Sequence, residues 1–600
     1  MYDKHLTLRT SPTWRTIPGY ICGLPQASVM AVEVFPSNPE AVDVTEAFAG
    51  LLAQVIEDDF EVSEAENVPL AIATTLARAT TRLQNWVYIP AAPQHVINAA
   101  GTTDDGRTIQ IILPYWLPDA TRVAYASCLR LWNRLSEGET FDDIVALRNQ
   151  LSAEFSPYVA KGVNQFALIR GVTTLGINLI RLPGTALCLG TGARSRIVNS
   201  TLTDKTPFIG IQFARNKFHT ASLLRMSGLP GAVNKVVSNS DEAIQGAKKF
   251  GYPIVVKPVD LDRGEGVAAH LMTESAIRSA FDTARELSPY VMIEKHIPGF
   301  THRLTVADGE VISVRQRVPG GVTGDGKSTV KELVEEGQST KWSRRWERTR
   351  GRAPVELDIE ALDLLKEQGF DVNTILPSGI FQRLRRRDNI NAGGQNLDIP
   401  LDSVDQDNID LATSAAQILR LDIAGVDLIS TDITKSWRET DAGICEVNGR
   451  PQLAARRAPE LYHRLLSRLM GPEPHVPADL ILCGDNSTER MALIEGLDTE
   501  TSDQTITSRE GLRSGGVCIT DNFPNDYAAA CAAAIRSDVV EIKCVLSLQD
   551  LLRLGSPLQT WSKISLFPAG LNAEEKRLLP NACALLGVQP KDLQILPQNR

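Results

Sequence analysis

Residues 321–328 read "GVTGDGKS", and the fold turns on how they are understood. They fit G-x-x-x-x-G-K-[ST], a loop whose backbone N–H groups cradle phosphates. A strand-like stretch precedes them, and "TVKELVEEG" (329–337) has helical spacing, the context such a loop demands. An apolar strand ending in an acid should then hold the metal, and "IAGVDLI" (423–429) offers Asp427. A P-loop protein, however, alternates strands with helices to build a parallel sheet. Here "VMIEKHIPG" (291–299), "HRLTVADG" (302–309) and "EVISVRQRV" (310–318) read as consecutive strands, with Asp308-Gly309 as a hairpin turn. An irregular basic stretch follows. That order disfavours the P-loop.

The 600-residue chain is 43% hydrophobic and 22% charged, ordinary for soluble globular protein. Its length suggests roughly three to five domains. A net charge of −10 excludes the global basic field of a nucleic-acid binder. No apolar run approaches the roughly 18 residues of a spanning helix, and "MYDKHLTLRT" (1–10) lacks the apolar core of a signal peptide. The nine cysteines are scattered, with no CxxC, which points to reduced thiols in a cytoplasmic protein.

Residues 1–160 mix strand-like stretches, "ASVMAVEVF" (27–35) and "TIQIILPYW" (108–116), with helical ones, "TEAFAGLLAQVIEDDF" (45–60) and "PLAIATTLARATTRLQNWV" (69–87). No catalytic constellation stands out there. From 216 the pattern sharpens. "NKFHTASLLRMSGLP" (216–230) predicts a helix ended by Gly228 and Pro230, and "DEAIQGAKKFGYP" (241–253) one stopped by Gly251. "IVVKPVD" (254–260) predicts a strand, and "DRGEGV" (262–267) a glycine-bearing turn after it.

"ICEVNGRP" (444–451) places Glu446 and Asn448 two apart on a strand, so both face the same way. Hard oxygen donors on one face suit Mg²⁺. Cys445 should face the other way and pack. Two lysines from separate elements, Lys217 and Lys257, can neutralise phosphate charge. The 262–267 hairpin can fold its N–H groups over phosphates. "EKHI" (294–297) can offer main-chain groups to adenine and the Glu294 carboxylate to ribose. Asp427, Glu446 and Asn448 can hold Mg²⁺ against the β- and γ-phosphates.

These stretches together resemble the ATP-grasp superfamily of carboxylate–amine ligases, and within it the cyanophycin synthetase family. The likeness rests on "ARNKFHTASLLRMSGLP" (214–230), "IVVKPVDLDRGEGV" (254–267), "VMIEKHIPGFTHRLTV" (291–306), "RQRVPGGVTGDGKSTVKELVEE" (315–336), "LRRRDNINAGG" (384–394), "LDIAGVDLISTDI" (421–433) and "ICEVNGRP", in family order. It makes "GVTGDGKS" a loop inside the ATP-grasp domain. The resemblance implies an acyl-phosphate mechanism with ATP and Mg²⁺. It implies nucleotide contacts from Lys217, Lys257, Arg263, Gly264, Gly266, Glu294, Lys295 and Ile297, and metal ligation by Asp427, Glu446 and Asn448. Arg303, Arg317 and Arg385 take positions suited to anionic charge. Asn389, with Gly393 and Gly394, takes a substrate- or phosphate-positioning place. Two departures stand out: Glu265 in the glycine loop, where the family carries a basic or neutral residue, and "NGRPQ", where the family's Asn is followed by Pro-Gly.

The family's second half is a Mur-ligase-like domain with its own P-loop. Here the corresponding place, "VPADLILCGDNSTERMALIEGL" (476–497), keeps the apolar strand but lacks Gly-Lys-Thr. The resemblance therefore implies an α/β (α+β) chain in three parts: an N-terminal mixed α/β domain over 1–165, an ATP-grasp domain over 166–470, and a truncated, degenerate Mur-ligase-like domain over 471–600. That layout is similar to the shortened type-two enzymes, which join β-aspartyl-arginine dipeptides. A related ligase for another amino acid or peptide and a non-catalytic nucleotide-binding protein stay as alternatives. The expected partners are amino-acid, dipeptide or polypeptide substrates and other copies of the chain in a homo-oligomer such as a dimer, with no nucleic acid and no membrane. The basic tracts at 342–352 and 383–387 offer a hold for an acidic or growing chain end, or simply a solvated face.

Overall fold

The structure, a computed structural model, describes residues 8–10, 14–21, 24, 28–93, 95–103, 106–159, 163–261, 266–339, 355–385, 393–453, 459–498 and 503–596. It is mixed α/β and divides into two compact units, 201–452 and the combination of 1–200 with 453–600. Elements of the 201–452 unit are numbered here; the others are given by range.

Two antiparallel sheets form the 201–452 unit. In the first, β1 (Asn234–Val237), β2 (Ile254–Pro258), β3 (Ala268–Leu271) and β4 (Val291–Lys295) take the order β1-β4-β2-β3. Helices α1 (Ser240–Phe250) and α2 (Glu274–Leu287) cover one face. Asn239 caps α1 by accepting from the Glu242 N–H, Thr273 caps α2 from the Ala276 N–H, and Gly251 at φ 81° ends α1. Ile277, Ala280, Phe281 and Ala284 recur at three- and four-residue steps, and they pack with Ile254, Val256, Val291 and Ile293. Because side chains alternate along a strand, those strand residues fix the opposite facing of Lys257 and Glu294. A buried Ile such as Ile277, 0% exposed, costs about 2–5 kcal/mol on truncation to Ala.

The second sheet holds β5 (Phe300–Ala307), β6 (Glu310–Val318), β9 (Gln395–Ile399), β10 (Ile423–Ser430) and β11 (Gly443–Asn448), in the order β9-β6-β5-β10-β11. Leu304, Val306, Val314, Ala424, Val426 and Leu428 face a core shared with the helix Gln406–Ile418. The alternate positions of the same strands then share the other face: Arg303, Arg315, Arg317, Asp427 and, across the next register, Glu446 and Asn448. Between β6 and β9 lies a ribbon of β7 (Gly321–Thr323) and β8 (Phe381–Arg383), backed by helices Val330–Ser339 and Ile359–Glu367.

In the other unit, strands Ser28–Phe35, Val96–Thr103 and Gly106–Pro114 pair antiparallel, and helices Glu40–Ile56, Val68–Trp86, Pro118–Ser136 and Ile144–Phe155 build a core with them. The helical and strand periods quoted for 1–160 are realised in these elements. The 471–600 part carries parallel strands Thr505–Ser508, Ile542–Ser547, Ala478–Cys483, Lys563–Leu566 and Gln594–Ile595, side by side in that order, with a hairpin Gly511–Ser514 and Val517–Asp521 on the first edge. Among the described residues no helix is long and apolar enough to cross a membrane.

Candidate active site

The polar face of the second sheet is a charge cluster assembled by register. Asp427 on β10 lies opposite Arg303 on β5 and Glu446 on β11. Its carboxylate, 1% exposed, accepts from Arg303 Nε and, at 2.8 Å, from Arg303 Nη2; Arg317 Nη1 lies 3.3 Å away. Burial alone would raise the Asp427 pKa, but the charges of Arg303 and Arg317 hold it below the ordinary value. Arg303 likewise resists its burial and is held above the usual arginine value, first by Asp427. Gly425 makes the room: a Cβ there would lie 2.7 Å from Arg303 Nη1.

The two lysines meet two carboxylates, Glu294 and Glu446. Lys257 Nζ sits 2.8 Å from Glu294 Oε2, with the side chains 8% and 5% exposed. Burial pulls its pKa down, yet Glu294, aided by Glu446, keeps it above the ordinary lysine value. Lys217 opens the helix Lys217–Met226, whose N-terminus Asn216 caps through the His219 N–H. Its Nζ donates to Leu261 O at 2.5 Å and lies 3.8 Å from Glu446 Oε1. The structure thus brings Lys217, Lys257, Glu294, Arg303, Arg317, Asp427 and Glu446 into one connected set. Asn448 shares the Glu446 face, and its Nδ2 reaches Gly425 O at 3.5 Å.

Cys445 corrects the strand reading. The β10–β11 register slips between Asp427 and Leu428, so Cys445 is the extra residue of a bulge. Strict alternation fails there. The thiol donates to Asp427 O at 3.4 Å and feels Lys257, Glu446 and Glu294. Burial, then Asp427, pushes its pKa up.

Other sequence candidates sit apart from this set. Arg385 is 7% exposed and its Nη1 donates to Asp358 Oδ1 at 3.0 Å, at the N-terminus of the helix Ile359–Glu367. Glu294, which the sequence offers to ribose, is by contrast a member of that set, its carboxylate 2.8 Å from Lys257 Nζ. The Lys295 N–H donates to Val233 O at 2.9 Å, and the Lys295 side chain is exposed. Ile297 packs against Gly443, where a Cβ would meet Ile297 Cδ1 at 2.8 Å. Gly266 holds φ 68°, and a Cβ on it would meet Pro258 Cγ at 2.9 Å. Arg263, Gly264, Glu265 and Asn389 lie outside the described residues. Arg315 was not singled out from sequence. Its Nε donates to Asp398 Oδ1 at 2.6 Å on the same polar face, and strand alternation from Arg317 was the signal.

The stretch at 321–328 is no phosphate cradle. Its strand pairs antiparallel in a two-stranded ribbon. Asp325 Oδ1 takes the Lys327 and Ser328 N–H groups at 2.8 and 2.7 Å. Those backbone bonds hold the Asp325 pKa down to about 2, so a carboxylate fills the loop where a phosphate would have to sit.

Among the described residues no three His, Cys, Asp or Glu side chains converge as an ion site. Asp427, Glu446 and Asn448 form a different kind of set, two carboxylates and an amide on adjacent strands. With Nδ2 spent on Gly425 O, Asn448 keeps its oxygen as acceptor. An all-oxygen set of this kind fits Mg²⁺, provided Arg303 shares Asp427.

No family model matches the chain. Cyanophycin synthetase of Trichormus variabilis is 32% identical over 360 residues, 58% of this chain and 39% of that protein. The synthetase of Geminocystis herdmanii is 28% identical over 82% of this chain and 53% of its own length. This chain is cyanophycin-synthetase-like. It spans about half or less of those curated relatives. The bifunctional glutathione biosynthesis protein of Streptococcus mutans is 31% identical over 43% of the chain and 34% of its own length. Among solved structures, the bifunctional glutathione synthetase of Pasteurella multocida covers 74% of this chain and 82% of that one, at 15% identity and a TM-score of 0.39.

In the cyanophycin-synthetase-like chain, the loop after strand Ala478–Cys483 is also filled from within. The Asp485 N–H donates to Glu575 Oε1 at 2.9 Å, and a Cβ on Gly484 would meet Glu575 Oε2 at 2.9 Å. Glu575 is 1% exposed and fixed by a capping box with Asn572. Arg490, 1% exposed, ties Glu510 and Asp526 beneath this loop.

Proposed function

We propose that the protein is an ATP-dependent carboxylate–amine ligase that polymerises β-aspartyl-arginine dipeptides, with its chemistry in the 201–452 unit and with 471–600 as a non-catalytic support. The carrying observation is that both lysines and the Asp427–Glu446–Asn448 face form one charge cluster. Lys217 and Lys257 neutralise the α- and β-phosphates of ATP, as two ammonium groups from separate elements that stand at the same cluster. A substrate carboxylate oxygen attacks the γ-phosphorus, the bond to the β-bridging oxygen breaks, and ADP departs. The amine of the second dipeptide attacks the acyl carbon, inorganic phosphate leaves, and the amine's proton passes to solvent or phosphate. Arg303 and Arg317 face the anionic charge that builds in both steps. Asp427, Glu446 and Asn448 would hold Mg²⁺, which would supply further neutralisation of phosphate charge.

The test is ADP release by the purified full chain with Mg²⁺-ATP and synthetic β-aspartyl-arginine, with product masses read in parallel. Dipeptide-dependent ADP and a ladder spaced by one dipeptide are expected. ADP released with a different amine acceptor and not with the dipeptide would replace this substrate assignment; no turnover with any acceptor would end the ligase reading.

A further inference from the structure

Residues three apart on a regular strand face opposite ways. Ile444 and Val447, 1% and 0% exposed, are three apart on β11, and both enter the core shared with β10. The extra residue between them, Cys445, makes this possible. Leu428 pairs with Ile444 on one side of it and Asp427 with Glu446 on the other, so Cys445 and Glu446 together stand against Asp427.

That arrangement bears on the two carboxylates. In an unbroken antiparallel pair Glu446 would lie directly across from Asp427, and like charges so placed repel. A bulge bends its strand and re-aims the side chain beside it. Here each carboxylate has its own cations: Arg303 and Arg317 for Asp427, and Lys217, with Nζ 3.8 Å from Oε1, for Glu446. Lys217 belongs to the helix Lys217–Met226, which packs on β11. The bulge is also pinned along its length. Before it, the Ile444 N–H donates to Pro230 O at 2.8 Å, and Ile444 O accepts from the Ala232 N–H at 3.2 Å. At the bulge, the Cys445 thiol donates to Asp427 O at 3.4 Å. Beyond it, Asn448 Nδ2 reaches Gly425 O at 3.5 Å.

We propose that, on the metal reading given above, the Cys445 bulge sets the spacing between the Asp427 and Glu446 carboxylates and with it the site's hold on a divalent cation that bridges to ATP. Cys445 is a positioning residue: it acts through these two carboxylates, by adding one residue of backbone and by tying that residue to the Asp427 carbonyl.

Deleting Cys445 isolates the bulge. Ile444, Glu446 and Val447 then alternate core, site, core as on a regular strand, so each keeps its face and its partner on β10. Calorimetry of ATP binding to the full chain, with and without Mg²⁺, reads the metal's effect as a ratio of two Kd values. Wild type should bind ATP more tightly with Mg²⁺. The deletion should cut that ratio by about tenfold or more, the usual cost of disturbing what orients a metal ligand. The metal-free Kd should stay near wild type, whereas a general loss of structure would weaken both. Cys445→Ala removes only the thiol tie and should lower the ratio about two- to threefold; Cys445→Ser keeps a donor and should restore it. This pair carries the test if the deletion variant fails to fold. An unchanged ratio in the folded deletion variant, or in Cys445→Ala where the deletion does not fold, overturns the proposal. Wild type whose ATP binding ignores Mg²⁺ overturns the metal reading itself, and this proposal with it.

Discussion

Lys257→Met probes the candidate site at its most buried bond. Lys257 and Glu294 are 8% and 5% exposed and 2.8 Å apart. Losing the ammonium strands a carboxylate in a low-dielectric interior, at a cost of about 3–5 kcal/mol. Replacing both partners, Lys257→Met with Glu294→Gln, removes the stranded charge, so most of that cost should return. Because the sheet can open locally, the readout is amide hydrogen exchange in β2 and β4, expected to speed up by roughly 10²- to 10⁴-fold in the single variant and far less in the double. The sign with pH follows from the raised Lys257 pKa. Its contribution is complete below the ordinary lysine value and is lost only as pH rises through the higher folded value, so neutral pH reports all of it. Both variants should lose ADP formation, because the double restores stability without restoring a phosphate partner. A double variant no better protected than the single one would refute the buried-pair reasoning, and a double variant that still makes ADP would refute the phosphate role.

Asp427→Asn should destabilise at neutral pH, and the gap to wild type in urea midpoint should close as pH falls. The depressed Asp427 pKa means its contribution is present above the ordinary Asp value of about 4 and lost as pH drops through the lower folded value. Gly266→Ala, at φ 68° and against Pro258, should cost about 1–2 kcal/mol of local backbone strain and raise the KM for ATP with a smaller change in kcat. Glu575→Ala removes the acceptor of the Asp485 and Asn572 N–H groups. It should lower the thermal midpoint by leaving buried donors unpaired, while ligase kcat and the count of one nucleotide per chain by calorimetry stay as they were.

Much of the fold was legible because local rules agreed with it. The stop at Gly251 and the hairpin at Asp308-Gly309 are written into short stretches, and strand alternation put Glu446 and Asn448 on one face. Sequence could not rank competing meanings of one stretch. "GVTGDGKS" satisfies a phosphate-loop pattern, and only its place in an antiparallel ribbon, with Asp325 holding its amides, decides against it. Cys445 shows the same limit at one residue, since a bulge of one position reverses the facing that alternation assigns. The pairings Lys257–Glu294, Arg303–Asp427 and Arg385–Asp358 join residues 27 to 124 positions apart. The chain by itself determined which chemistry-bearing residues were available and, where no bulge intervenes, how a strand aims them. The tertiary register decided which carboxylate each cation meets, because charge partners in a buried site are set by distance in space, and that distance is fixed only when the strands pair.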